Sequence, residues 1–324
     1  MKDECIKIVK NFLDRYLVDE RPLVIAVSGG CDSLALLHMV LECRQFFDLD
    51  VHVAHVVHGL RSESACEANQ LKDYVQKLGL PFHLMVLDGK ASGNVEDWAR
   101  EHRYGFFAEL SRKLESQAVM VAHHQDDQAE TVLKRVFEGS HLSRLGALAP
   151  ETVLHSIRVW RPLLSLTKRQ IEGWLAKRRL KGFADPMNAN VQFLRARMRH
   201  VMFPAIEQQF GKKIAPTLSR MGQRALELRE YLDRRVRPYF RSLEQDGERI
   251  SIDFSPFFPL EKVEVIHFLT EWATSIGVQL SHAECETCFE LLKRRLPHRL
   301  IGPFSIDRGC IFWTYSTQSA TLKP

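Results

Sequence analysis

Over its first 160 residues this 324-residue chain alternates short β-branched runs with longer amphipathic stretches, and that alternation leaves few folds open. Residues 23–27 (LVIAV), 51–57 (VHVAHVV), 82–87 (FHLMVL) and 118–122 (AVMVA) read as buried strands, and residues 34–42, 64–78 and 94–114 between them have helical spacing. In the second of these helices Leu71, Tyr74, Val75 and Leu78 recur at i, i+3, i+4 and i+7, and Gly79 follows as a stop. The pattern implies βαβ units: an α/β domain on a doubly wound, mostly parallel sheet with helices on both faces. Such sheets bind ligands outside the carboxyl ends of their strands, so chemistry is expected in the loops after Val27, Val57 and Ala122.

The texture changes after Pro150. Residues 152–160 alternate weakly like a hairpin arm, and residues 167–179 form a basic amphipathic helix. Residues 204–243 read as helices with Leu218, Met221, Ala225, Leu228 and Leu232 on one stripe; a second helical stretch spans 260–292, and short strands end the chain over 300–315. The expected organisation is an α/β domain over residues 1–207 and a smaller, mainly helical C-terminal domain with short terminal strands over 208–324.

A hydrophobic fraction of 45% against 26% charged residues excludes a disordered or fibrous chain. No apolar run approaches the ~18 residues needed to cross a bilayer. The N-terminal MKDECIKIVK lacks the apolar core of a signal peptide, and the seven cysteines are an odd number. These features lead us to expect a soluble cytoplasmic protein with reduced thiols and no membrane partner. The net charge of +5 is local: nine Lys/Arg against two acids between Lys168 and His200 leave the rest of the chain at −2. Such a segment suits a polyanion or a solvated helix face.

Within the first predicted turn stands Ser28-Gly29-Gly30-Cys31-Asp32-Ser33. Two glycines allow a tight turn close to a ligand, and successive N–H groups at a helix start make an anion nest. No GxxxxGK[ST] occurs in the chain, so the loop lacks the lysine of a Walker A motif. Asp32 is suited to holding a Mg²⁺ that touches phosphate, although Asp32 and Ser33 also read as an ordinary N-cap. A second constellation follows residue 122: His123-His124-Gln125-Asp126-Asp127-Gln128-Ala129-Glu130-Thr131. Read as a helix start, Asp127, Glu130 and Thr131 share a face. A zinc site here lacks the HExxH spacing and a nearby cysteine pair. Ser64 and Glu67 read as a capping box and Asn94 as an N-cap. Cys285 and Cys288 form a CxxC near His282 and Cys310, yet with Phe289 and Leu292 they fall on one helical stripe and read as buried.

With these residues in order, the chain resembles the tRNA(Ile)-lysidine synthetase family of N-type, PP-loop ATP pyrophosphatases. The resemblance rests on the SGGxDS loop, His58-Gly59-Leu60-Arg61, Ala99-Arg100 with Arg103-Tyr104, the HHxDDxxET run, Gly139-Ser140, Arg161-Pro162-Leu163-Leu164, Asp185-Pro186 with Asn188, and Phe193 followed by Arg195, Arg197 and Arg199. It departs in the stretch after Gly139-Ser140, where the family's several glycines are replaced by His141-Leu142-Ser143-Arg144-Leu145-Gly146-Ala147, and at Met187 and Ala196. Longer family members carry an additional C-terminal β-rich domain.

The resemblance implies a PP-loop fold and ATP-dependent attachment of free L-lysine to the position-2 carbon of the wobble cytidine in the CAU anticodon of tRNA(Ile). The route is an adenylated tRNA intermediate, with release of pyrophosphate and AMP. It implies ATP bound by Val27, Ser28, Gly29, Gly30, Cys31, Asp32, Ser33, His55 and Val57, and Mg²⁺ held by Asp32 and Asp127. His123, His124, Glu130 and Arg103 complete the catalytic set, with Glu130 either a lysine ligand or a third metal ligand and the two histidines not separable. Lys177, Arg178, Arg179, Arg195, Arg197 and Arg199 are the residues expected at tRNA. Rival readings are a PP-loop tRNA 2-thiolation enzyme, an amidotransferase-type ligase and a non-catalytic RNA-binding relative. The sequence leaves open whether the chain works alone or as a homodimer.

Overall fold

The computed structural model describes residues 3–57, 64–87, 95–146, 148–182, 194–247, 249–254, 257, 260–302 and 304–314. Residues 58–61, Asn94 and 185–193, singled out in the sequence, lie outside these, as does the Ser64 side chain of the expected capping box. Two compact units are formed, residues 1–138 with 147–222 and residues 139–146 with 223–324. The boundary anticipated at 207/208 lies in the helix Phe203–Phe210, within the first unit.

The first unit opens with α1 (Glu4–Tyr16), followed by β1 (Leu23–Ala26), α2 (Cys31–Cys43), β2 (Val51–Val57), α3 (Ser64–Lys77), β3 (Phe82–Val86), α4 (Val95–Leu114), β4 (Ala118–Met120) and α5 (Gln125–Phe137). Next come the hairpin β5 (Glu151–Leu154) and β6 (Ile157–Trp160), then α6 (Lys168–Lys177), α7 (Leu194–Arg197), a π turn (Met198–Met202), α8 (Phe203–Phe210) and the start of α9 (Ala215–Val236). The sheet order is β3-β2-β1-β4-β6-β5, parallel throughout except for the antiparallel β5–β6 hairpin. The α/β, doubly wound reading therefore holds. From β1 the chain winds outward first through β2 and β3, then in the other direction through β4 and β6. The switch point lies between β1 and β4, the place where open α/β sheets bind their ligands.

Burial follows the period of two along each strand. Leu23 and Ile25 of β1 face a core with α1, α2, α3 and α6, whereas Val24 faces the opposite core with Tyr104, Phe107 and Leu110 of α4. The basic helix α6 is docked by its apolar stripe of Ile171, Trp174 and Leu175. At its end Arg178 bonds Glu42 of α2 and Asp3 of the α1 cap, the latter at 2.8 Å, and lies over the Trp174 ring at 3.9 Å.

The second unit is more β-rich than expected. An antiparallel sheet, β7 (Glu244–Asp246), β8 (Arg249–Asp253), β11 (Cys310–Thr314), β10 (Phe304–Asp307) and β9 (Arg299–Ile301) in that spatial order, accompanies α10 (Lys262–Ser275) and α11 (His282–Lys293). The β10–β11 turn places Arg308 and Gly309 at φ 48° and 96°, the paired positive values of a type I′ hairpin. Phe254, Phe257, Phe268, Trp272 and Phe304 form the core, and Cys285, Cys288 and Leu292 are buried in it as their stripe predicted. The expected stripe on α9 is only partly realised, because Met221 and Leu228 are exposed. Where the family has glycines, Ser143 Oγ meets His267 Nδ1 at 3.5 Å and Arg144 donates to Thr274 Oγ1 at 2.7 Å, both within the second unit.

Removing the Arg178 side chain should loosen α6 from α1 and α2. Arg178→Ala is expected to lower unfolding free energy by roughly 1–2 kcal/mol, the sum expected of a partly exposed ion-pair set and one cation–π contact. Chemical denaturation measures it; a variant as stable as the parent would show that the bolt contributes nothing.

Candidate active site

β1 leads into a loop whose two serines hold its shape. Ser33 Oγ accepts from Ser28 N–H at 3.1 Å and donates to Gly30 C=O at 3.0 Å, while Ser28 Oγ accepts from Gly30 N–H at 3.3 Å. Gly29 sits at φ 89°, which a side chain would strain. The helix α2 starts earlier than the sequence suggested: Gly30, and neither Asp32 nor Ser33, is its N-cap, a residue with no side chain to accept from the first-turn amides, and Asp32 lies in the first turn. The amide groups of that turn are thus left to a ligand. Gly182, which sequence reasoning missed, lies so close that a Cβ there would come within 2.6 Å of Cys31 N and 2.8 Å of its Sγ. His55 donates from Nδ1 to Val27 C=O at 2.7 Å, and burial lowers its pKa, so it is a neutral brace for the end of β1. The carbonyl of Val57 is taken by Leu87 N–H at 2.8 Å.

Across the switch point, His124 caps α5. Its Nδ1 accepts from Asp126 N–H at 3.3 Å, and Asp127 Oδ2 accepts from His124 N–H at 3.0 Å. His124 Nε2 stands 3.4 Å from Asp127 Oδ2 and 3.7 Å from Asp32 Oδ2, so the two carboxylates assigned to metal converge on one ring nitrogen. Lys168 Nζ lies 2.7 Å from both oxygens of Asp32, and its backbone N–H donates to Asp126 Oδ2 at 2.8 Å. Arg199, from the π turn, donates to Glu130 Oε1 at 2.7 Å and to Asp127 Oδ1 at 3.3 Å. Glu130 is 2% exposed and its Oε2 has no hydrogen-bond partner among the described residues. Burial raises the Glu130 pKa, with Arg199 opposing and Asp127 adding.

The structure separates the two histidines. Burial works against a charge on His124, but the bond to Asp126 and the charges of Asp127 and Asp32 outweigh it and raise its pKa. His123 is pushed well below the ordinary value by burial, then by Arg161, Arg195, Arg100 and Arg103 around it. Arg103 itself is lowered by burial, with Arg100 and Arg195 adding and Tyr104 opposing. Its partners are therefore those of an anion site. Arg161, 3% exposed, donates to Ala149 C=O and Thr152 Oγ1, both at 2.9 Å, and leaves a buried Nε without a partner among the described residues.

The six basic residues expected at RNA do not form one set. Lys177, Arg179, Arg195 and Arg197 are exposed, but Arg178 is spent on Glu42 and Asp3, and Arg199 on Glu130 and Asp127. The segment is helical, so Arg195, Arg197 and Arg199 are spread around it.

Asp32 and Asp127, which both approach His124 Nε2, are the carboxylates available to a divalent cation, although no group of three or more His, Cys, Asp or Glu is placed to hold a metal among the described residues. Their hard oxygens are the donors Mg²⁺ prefers. No helix among the described residues is long and apolar enough to cross a membrane.

A PP-loop domain model matches residues 1–206. Among curated proteins, the chain is 36% identical to a tRNA(Ile)-lysidine synthase of Protochlamydia amoebophila, covering 100% of this chain and 72% of that protein. It is 34% identical to the enzyme of the same name from Chlamydia muridarum, over 92% of this chain and 91% of that protein. Among solved structures, the U34-tRNA thiolase NcsA of Methanococcus maripaludis shares the fold, with a TM-score of 0.57 at 17% identity over 70% of this chain and 78% of that one.

The opposite surroundings of adjacent histidines give a test. The His124 ring should titrate above the usual ~6.5 and His123 below it in an NMR pH series. Because the folded pKa of His124 is raised, its stabilising charge is present below ~6.5 and lost as pH rises through the folded pKa. His124→Gln should therefore cost more stability at pH 5.5 than at pH 8.5; the reverse order of titration would refute the assignment.

Proposed function

The chain belongs to the tRNA(Ile)-lysidine synthase family, and from that premise we propose that it ligates free lysine to the wobble cytidine of tRNA(Ile) bearing a CAU anticodon, using ATP. The observation that carries this reading is the meeting, at the switch point, of the loop 28–33 with the carboxylates of α5. One element offers amide groups to phosphate and the other offers acids to cations.

The carbonyl oxygen at position 2 of the cytidine attacks the α-phosphate, and the bond to the β-phosphate bridging oxygen breaks with its electron pair leaving on pyrophosphate. The N–H groups of Cys31 and Asp32, in the first turn of α2, hold the phosphates. Mg²⁺ between Asp32 and Asp127 would neutralise charge on the departing group. Arg103 and Arg195, with Tyr104, Arg100 and Arg195 the charged groups acting on Arg103 among the described residues, stabilise the transferring phosphoryl group or the RNA phosphate beside it. In the second half-reaction the ε-amine of lysine displaces AMP from the activated carbon. Glu130 receives the ammonium, and its unpartnered Oε2 is the acceptor left for it. The amine must shed protons to attack; His123, whose pKa burial and then the surrounding arginines lower, offers an unprotonated nitrogen to take one, and His124, whose pKa the bond to Asp126 and the charges of Asp127 and Asp32 raise, is less suited. The exposed Lys177, Arg179 and Arg197 supply charge for tRNA phosphates.

A thiolation reading has only a fold in its favour, because 17% identity to a thiolase supports nothing finer.

Two variants divide the reaction. Asp127→Asn should abolish tRNA adenylation. Glu130→Gln should retain it without lysine, yet raise the lysine requirement about ten- to a hundred-fold, the scale of one lost charge-assisted contact. Adenylation is read as labelled AMP on tRNA(Ile). Its loss in Glu130→Gln would move that carboxylate from lysine to the metal.

A further inference from the structure

The loop 28–33 contains no lysine, and a phosphate site that must release pyrophosphate gains from a mobile cation at the leaving group. We propose that Lys168 is that cation: a catalytic residue that contacts the departing pyrophosphate, delivered to the loop from the start of α6. This rests on the functional reading above.

Placement is the first argument. The lysine is 136 residues from Asp32 in sequence, yet its Nζ lies 2.7 Å from both carboxylate oxygens in the first turn of α2. The second argument is how its backbone is held. Thr167 caps α6 and accepts from Gln170 N–H at 3.2 Å, the Lys168 N–H donates to Asp126, and Gln125 N–H donates to Leu166 C=O at 2.8 Å. Buried Leu163 and Leu166 fix the approach. The Cα is thus tied to the acidic turn on one side of the switch point, while the ammonium reaches the phosphate loop on the other.

The third argument is energetic. Lys168 and Asp32 keep side-chain exposures of 35% and 28%, and ion pairs this open to water add little to stability. A contact of that kind is readily exchanged. When a divalent cation takes Asp32, the ammonium is released beside the phosphates on a four-carbon arm long enough to follow them. It then faces the oxygen that gains charge as the phosphorus–oxygen bond breaks. No proton transfer is needed, since the ammonium acts only through its charge and N–H donors. His124 cannot serve here, because its ring is enclosed by Asp32, Asp126 and Asp127.

The test uses the full chain with inorganic pyrophosphate as probe, titrated calorimetrically at saturating Mg²⁺, followed by single-turnover adenylation of tRNA without lysine. Lys168→Met should weaken pyrophosphate binding and slow adenylation, each about ten- to a hundred-fold. Lys168→Arg should recover part of both. The Mn²⁺ concentration that half-saturates the protein, read by electron paramagnetic resonance, should fall in Lys168→Met, because Asp32 has lost its competitor. Lys168→Gln serves the same purpose should the methionine variant misfold. Charge-removing variants that bind pyrophosphate and Mn²⁺ like the parent and adenylate at its rate would overturn the proposal alone. A parent chain that adenylates no tRNA would overturn the functional reading and the proposal with it.

Discussion

Four carboxylates, Asp32, Asp126, Asp127 and Glu130, are gathered at the carboxyl ends of β1 and β4, and much of the first unit is arranged to hold that charge. Two of them, Asp32 and Asp127, lie within 3.7 Å of one histidine nitrogen, so their like charges repel unless countered. Two cations intervene from different stretches of chain, Lys168 from α6 and Arg199 from the π turn, and the His124 ring, whose pKa the acids raise, stands between them at the α5 cap. The amino ends of α2 and α5 add their positive dipole ends to the same region. The apolar stripe of α6 docks the helix, and that docking brings Lys168 to the acids, as the π turn brings Arg199. The gathered charge also makes the site responsive, because a divalent ion, an ammonium or a phosphate can each replace one of the resident partners.

A single step along the chain divides this acidic half from a basic one. His124 is extended, at φ −127° and ψ −177°, and neighbours along an extended backbone project to opposite sides. His123 therefore stands among Arg100, Arg103, Arg161 and Arg195, and His124 among aspartates. The basic half suits phosphate and RNA, the acidic half metal and lysine. A ligase that joins a cation to a polyanion needs both within reach of one bond.

What the sequence revealed depended on distance along the chain. The strands, the loop 28–33 and the run 123–131 are local patterns, and residues next to each other in sequence stay next to each other in the site. Buried Cys285 and Cys288 were equally legible, since helical spacing decides their face. Lys168 and Arg199 were not, because an ion pair spanning 136 or 72 residues leaves no trace in local spacing. The arginines after Phe193 looked alike as charges, yet Arg199 meets two carboxylates while Arg197 stays exposed. Arg178 was grouped with RNA-facing neighbours because a basic helix end does not announce acids on two other helices. The sheet of the second unit was half hidden for a related reason: Glu244–Asp246 is polar and exposed, and becomes a strand only by pairing with β8.

The account turns on one point, that the loop 28–33 and the acidic turn of α5 bind one nucleotide–metal complex between them. The most direct measurement is a crystal structure of the chain with a non-hydrolysable ATP analogue and Mn²⁺, the metal located by its anomalous scattering. The account predicts phosphates on the amides of Cys31 and Asp32, a metal held by Asp32 and Asp127, and Lys168 moved from Asp32 to phosphate oxygen. A nucleotide bound away from the switch point, or a metal that touches neither aspartate, would contradict it.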